Sequence, residues 1–144
     1  MTAVHRNTWT SGRANLIKKV ENKESLKVIE SSAFAICLDN KEPGSQTDCA
    51  KSMILDDGSN RWYDKTIQLI VYKNGRAGLY AEHSLIDGSV ITRVLTDSIA
   101  PIKGPVEEPK APPKSLPKKL NFELYLKDEK IINEAVKYYE DFIG

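Results

Sequence analysis

Thr66-Ile67-Gln68-Leu69-Ile70-Val71-Tyr72-Lys73-Asn74-Gly75-Arg76-Ala77-Gly78-Leu79-Tyr80-Ala81-Glu82 is the stretch that decides the fold. Apolar residues alternate at Ile67, Leu69 and Val71, which is the period of a strand with two unlike faces. Asn74-Gly75 is the dipeptide that two-residue hairpin turns prefer. The spacing predicts one strand over 66–73 and a return strand over 76–82. Directly after it comes Glu82-His83-Ser84-Leu85-Ile86-Asp87-Gly88, which places one of the chain's two histidines at a strand end.

Outward from the hairpin, 88–99 reads as an amphipathic helix through Val90, Ile91, Val94, Leu95 and Ser98. Upstream, the polar loop Asp56-Asp57-Gly58-Ser59 leads into Asn60-Arg61-Trp62-Tyr63-Asp64-Lys65. A short helix over 48–55 is expected before it, with Thr47 as its cap. Ala33-Phe34-Ala35-Ile36-Cys37-Leu38 is a continuous apolar run, the pattern of a strand buried on both faces, and it ends in the turn-rich segment 40–45. Residues 10–32 read as a single helix carrying Leu16, Ile17, Val20, Leu26 and Ile29, with Trp9 packing at its entry.

Six of the seven prolines fall between Pro101 and Pro117, so the sequence divides into a core segment 1–100, an extended Pro-rich linker 101–119 and a closing segment 120–144. In the closing segment, 120–126 alternates as a half-exposed strand, and Ile131, Ile132, Ala135, Val136, Tyr139 and Phe142 form a helical stripe. That apolar face calls for a partner surface, either another protein or a second copy, and predicts self-association.

The charge balance, 21 basic against 20 acidic residues, gives no net field toward nucleic acid or an anionic membrane. Cys37 and Cys49 lie twelve residues apart, with neither zinc-ligand nor redox spacing, and read as free thiols of an intracellular protein. No run approaches the roughly 18 apolar residues of a membrane span. No His/Cys cluster calls for a metal.

His83 is the residue with chemistry in it. A neutral imidazole can take a hydroxyl proton at working pH because its ordinary pKa, about 6.5, lies nearby. Asp87, four residues on, could orient or balance the ring. The other reading of the same residues is structural: Ser84-Leu85-Ile86-Asp87 matches a capping box, with Ser84 as cap and Asp87 in the first turn. Spacing leaves both open. For Arg61, Trp62 and Tyr63 the reading is a structural corner, an arginine paired and stacked beside two aromatics.

The Glu-His-Ser-x-x-Asp-Gly run at 82–88 resembles the catalytic histidine motif of the carnitine/choline acyltransferases. The Arg61-Trp62-Tyr63-Asp64-Lys65 block and its distance from the histidine resemble a second signature of that family. So, in the same order, do Trp9-x-x-x-Arg13, Ser25-Leu26-x-x-Ile29, the apolar run ending in Leu38-Asp39, and the tail from Leu116-Pro117 through Ile131 and Ala135. The resemblance implies a mixed α/β fold, part of the chloramphenicol-acetyltransferase-like architecture, with helices packed on a sheet. It also implies reversible acyl transfer between acyl-coenzyme A and the carnitine hydroxyl, with His83 as general base and Asp87 assisting. Coenzyme A is then a co-substrate, and no cofactor or metal is bound.

Choline in place of carnitine as acceptor, and a truncated, inactive paralogue acting as an interaction module, are the alternatives. The sequence departs from the family at Leu85, where a proline is common, and before Asn60, where a glycine-rich run is usual. Family members are several times longer. Their second half carries the coenzyme A site, the oxyanion-steadying hydroxyls and the carnitine carboxylate site, and none of these maps onto a position here. With only the base present, little activity is expected, because oxyanion stabilisation is usually the largest catalytic term. Mitochondrion, peroxisome and cytoplasm all fit.

Overall fold

The structure, a computed structural model, describes residues 2–56, 58–104 and 115–143. In chain order the elements are α1 (Arg6–Leu16), α2 (Val20–Ser31), β1 (Ala35–Asp39), α3 (Gln46–Leu55), β2 (Ile67–Tyr72), β3 (Ala77–Ala81), α4 (Gly88–Ile99) and α5 (Leu126–Ile143). This is the mixed α/β architecture expected. The three strands form one sheet in the order β1-β2-β3, with β1 parallel and β3 antiparallel to β2.

The hairpin forms where expected, with a wider turn. The Gly75 N–H bonds to the Tyr72 carbonyl at 2.9 Å and the Tyr72 N–H to the Arg76 carbonyl at 2.9 Å, with Gly75 at φ 79°. That is a type I turn closed by one residue in the left-handed region, which glycine adopts without steric cost.

Register sorts the side chains onto two faces. Cys37 lies opposite Ile70, and Ile70 opposite Gly78, so Cys37, Ile70 and Tyr72 share one face. Cys49 joins this cluster from α3, and Met53 and Tyr80 pack against it. The alternating set Ile67, Leu69 and Val71 is only half-buried, while Gln68, Ile70 and Tyr72 of the opposite face are buried. β1 is an edge strand whose second face is open, with Ile36 57% and Leu38 73% exposed. The expectation of burial on both faces is therefore corrected: the apolar run is continuous, but among the described residues only the Cys37 side is covered.

The single helix expected over 10–32 is two helices. After Leu16 the chain closes with short-range bonds, Lys18 N–H to the Asn15 carbonyl and Lys19 N–H to the Leu16 carbonyl. The gain is a shared core: Trp9, Leu16 and Leu26 are buried together, with Val4, Ile17 and Trp62 against them. In one unbroken helix Trp9 and Leu26 would stand roughly 26 Å apart at 1.5 Å per residue. Burial overrides a sequence with no glycine or proline at the break. A forked pair from Arg13 to Glu30, at 2.6 and 2.7 Å, ties the two helices outside that core.

Two local expectations are corrected by hydrogen bonding. The cap of α3 is Ser45, not Thr47: its hydroxyl accepts from the Asp48 N–H at 3.1 Å, and Asp48 answers from the third helical position to complete a capping box. Residues 120–125 form no strand. Their main chain lies instead along α2, where the buried Asn22 donates to the Glu123 carbonyl and accepts from the Glu123 N–H, both at 2.8 Å. Ser25 donates to the Asn121 carbonyl at 2.9 Å. Side chains one helical turn apart thus satisfy main-chain groups two residues apart, and no sheet edge is needed.

α5 then packs on α1. Its stripe is divided: Ala135 is buried, Ile131, Ile132 and Tyr139 are half-buried, and Phe142 is 72% exposed. The expected linker, 101–119, falls mostly on residues 105–114, outside the described residues.

Candidate active site

The main chain that carries His83 is held at both ends. Upstream, the Glu82 N–H bonds to the Thr66 carbonyl at 3.0 Å, extending the hairpin pairing one residue past β3. The chain then turns over residues 83–85. Both oxygens of the Glu82 carboxylate accept from Ser84, one from its N–H at 3.1 Å and the other from its hydroxyl at 2.6 Å. Downstream, Asp87 is the N-cap of α4: one carboxylate oxygen accepts from the Ser89 N–H at 3.0 Å, the Ser89 hydroxyl at 2.6 Å and the Val90 N–H at 3.1 Å. These bonds hold the Asp87 carboxyl below the usual range, with the Ser89 hydroxyl as the largest contributor and the nearby His83 charge as the smallest.

The helix boundary at Gly88 is therefore as the sequence predicts, but the capping box is not. Asp87 caps, while Ser84 belongs to the turn before it. His83 is exposed and its ring takes part in no hydrogen bond among the described residues, with Asp87 or any other group. Beside its turn lies an open cleft of about 600 Å³ lined by Arg6, Tyr63, Asp64, Thr66, Glu82 and Leu85, among others. In the sequence Glu82 stands only as the residue before the histidine, and its contact with Ser84 shows in the folded turn.

Residues 60–65 form the floor next to this loop, and every side chain there is engaged. The Asn60 amide donates to the Leu38 carbonyl at 2.9 Å and to Asp39. Arg61 makes a forked pair with Asp39, at 3.1 and 2.7 Å, with both side chains nearly fully buried. Burial works against the Arg61 charge, but the bonds to Asp39 outweigh it and raise its pKa; Arg61 in turn holds the Asp39 carboxyl below its ordinary value. Trp62 meets Trp9 edge to face at 5.7 Å, and its N–H bonds to the buried Gln68 oxygen at 2.8 Å.

Tyr63 donates its hydroxyl to Tyr139 of α5 at 3.1 Å, and burial, with that contact next, pushes its pKa up. Asp64 accepts from Trp9 Nε1 and from Arg6, both at 2.6 Å. Lys65 is buried, and its ammonium donates to the Ile29, Glu30 and Ser32 carbonyls at 2.7, 3.2 and 2.8 Å, closing the C-terminus of α2. Arg61, Trp62 and Tyr63 are thus parts of the structural corner expected of them. Cys37 and Cys49 are both buried and free, and burial raises the Cys37 thiol above its ordinary value. Among the described residues no group of three or more His, Cys, Asp or Glu is placed to hold a metal ion, and no helix is long and apolar enough to cross a membrane.

With this geometry in view, comparison with known proteins is specific. The family model described as choline/carnitine O-acyltransferase matches residues 1–144. Carnitine O-acetyltransferase from Mus musculus is 38% identical over 105 residues, covering 66% of this chain and 17% of that enzyme. Choline O-acetyltransferase from Rattus norvegicus is 34% identical over 100 residues, 65% of this chain and 16% of that enzyme. The highly reducing polyketide synthase ltbA of Aspergillus luteorubrus is 40% identical over 88 residues, 60% of this chain and 3% of the synthase. The matched region thus spans about a sixth of the two acetyltransferases. The chain belongs to the choline/carnitine O-acyltransferase family.

Proposed function

We propose that this chain carries the general base of an acyl transfer between acyl-coenzyme A and the hydroxyl of carnitine, and that His83 is that base. The observation that supports the reading is a histidine with an uncommitted ring, exposed on a turn whose main chain is anchored to the sheet on one side and to a helix cap on the other. His83 takes the hydroxyl proton as the oxygen attacks the thioester carbonyl carbon. The C–S bond breaks, and the leaving thiolate recovers the proton from the imidazolium. In reverse, His83 deprotonates the coenzyme A thiol. Asp87, four residues on at the N-cap of α4, supports the imidazolium charge electrostatically; its main bonds fix the start of α4.

The matched relatives, named for carnitine, choline and a polyketide, are all 34–40% identical to this chain. That one segment is shared by enzymes named so differently supports a role common to them. We therefore assign the base and its frame to this chain, and the choice between carnitine and choline to parts beyond it. Consumption of acyl-coenzyme A in the presence of carnitine, followed by thiol release, tests the proposal. Turnover lost in His83→Ala supports it, and turnover that survives the substitution sinks it.

Absence of turnover in both proteins favours the second reading, an interaction module. That reading is favoured by the outer face of α5, where Tyr138 is 59% and Phe142 72% exposed. A monodisperse monomer in light scattering would count against the module pairing with a second copy of itself.

A further inference from the structure

The His83 ring takes part in no hydrogen bond among the described residues, so its position depends on the main chain that carries it, and that main chain has one immediate restraint. Glu82 is locked to the hairpin through its own N–H on the Thr66 carbonyl. Its carboxylate then reaches over His83 and engages Ser84 twice, through the N–H at 3.1 Å and the hydroxyl at 2.6 Å. Residue 82 is thus tied to the sheet, residue 84 is tied to residue 82, and His83 is the one residue spanned between them. Asp87, the other acid of the loop, spends one oxygen on three donors of α4 and restrains the chain only from four positions away.

We propose that Glu82 is the positioning residue for His83: its two hydrogen bonds to Ser84 fix the turn that carries the imidazole, a turn whose Glu82, Ser84 and Leu85 line the cleft with Arg6, Tyr63, Asp64 and Thr66. The inference rests on His83 being the base. An exposed turn without such a clasp samples many main-chain conformations, and a base on it reaches its proton only in a fraction of them. Charge matters as well as shape, since a carboxylate accepts both Ser84 donors where an amide offers one oxygen.

The test is amide NMR on the full chain, with activity as a separate arm. In the wild type, His83 and Ser84 should show the order parameters of a rigid backbone, about 0.85, and in Glu82→Ala these should fall below about 0.6. Exchange of the Ser84 amide should speed up about tenfold or more. Glu82→Gln and Ser84→Ala should fall in between, because each keeps one of the two bonds. The Glu82 amide position, still bonded to Thr66 in every variant, reports that the hairpin is intact. In the activity arm, Glu82→Ala should lower kcat about tenfold to a hundredfold with KM unchanged. Order and exchange unchanged in Glu82→Ala overturn the proposal, even if His83→Ala abolishes turnover; so does a loosened turn with kcat intact. Turnover that survives His83→Ala overturns the assignment of the base instead, whatever the NMR shows of the clasp.

Discussion

Residues 60–65 and residues 82–89 lie close together in the fold and are built in opposite ways. In the first, the six side chains reach out to four other elements: Asn60 and Arg61 to β1, Trp62 and Asp64 to α1, Tyr63 to α5, Lys65 to the end of α2. In the second, the acidic side chains bond within two or three residues of themselves, and the histidine between them bonds to nothing described. Long-range bonds made by buried groups carry stability, because each holds two elements that are far apart in the chain. Local bonds on the surface carry shape at little cost to the rest. Two neighbouring segments thus do different work, one holding elements together and the other presenting an exposed imidazole.

The sharpest way to break this contrast is at Arg61. Arg61→Ala leaves Asp39 charged, buried and without its forked partner, and the expected loss is about 3–5 kcal/mol. Urea unfolding at neutral pH measures it; a loss under about 1 kcal/mol would mean that the corner is not what holds β1. Arg61→Met with Asp39→Leu should recover most of the loss, since a buried pair replaced by apolar groups is often neutral. The same pair sets an acid dependence. Arg61 holds Asp39 below the ordinary carboxylate value, so the unfolded chain binds the proton more readily than the folded one. The contribution is whole above about pH 4, near the ordinary Asp value, and is lost as pH falls through the folded value. The melting temperature of the double variant should therefore fall less between pH 6 and pH 3 than that of the wild type.

Next in size is Lys65. Lys65→Met keeps the length of the side chain but strips three carbonyls at the end of α2 of their donor, and should cost about 2–3 kcal/mol in the same unfolding assay. Asn22→Ala tests the seam between α2 and the closing segment. About 1–3 kcal/mol is expected, read together with faster exchange of the Glu123 amide, which loses its acceptor. An unchanged Glu123 amide would show that the segment is held by other contacts.

How much of this was legible in the sequence follows from the range over which each cause acts. The hairpin and α4 were readable because their causes are local: alternation, Asn-Gly, and a polar residue before a helical stripe. α3 is readable, but its cap lies two residues before the one expected, because Ser45 and Thr47 are both N-cap residue types and the answer from Asp48 selects Ser45. The break between α1 and α2 was not readable, since no glycine or proline marks it and its cause is a core shared by Trp9, Leu16 and Leu26. Nor was the loss of the 120–126 strand. Its alternation is real, but the partner of its main chain is the Asn22 amide on a helix a hundred residues earlier. At the candidate site His83 stands out by its place at a strand end and by the motif around it, whereas Glu82 is recognised only once the turn brings its carboxylate onto Ser84.

The smallest expected effect is the one that sharpens the comparison most. His83→Ala should change stability by no more than about 0.5 kcal/mol, because the ring is exposed and its loss leaves no buried donor or acceptor unpaired. The same substitution should lower turnover about a hundredfold to ten-thousandfold if His83 is the base. Unfolding and activity measured on one preparation therefore separate the two regions. Arg61→Ala should move the unfolding midpoint far, and a change in turnover should follow only from loss of folded protein, whereas His83→Ala should move turnover and leave the midpoint in place. If His83→Ala also destabilised the chain by more than about 1 kcal/mol, the ring would have to be making a contact in solution, and the loop would belong with the corner beneath it rather than in contrast to it.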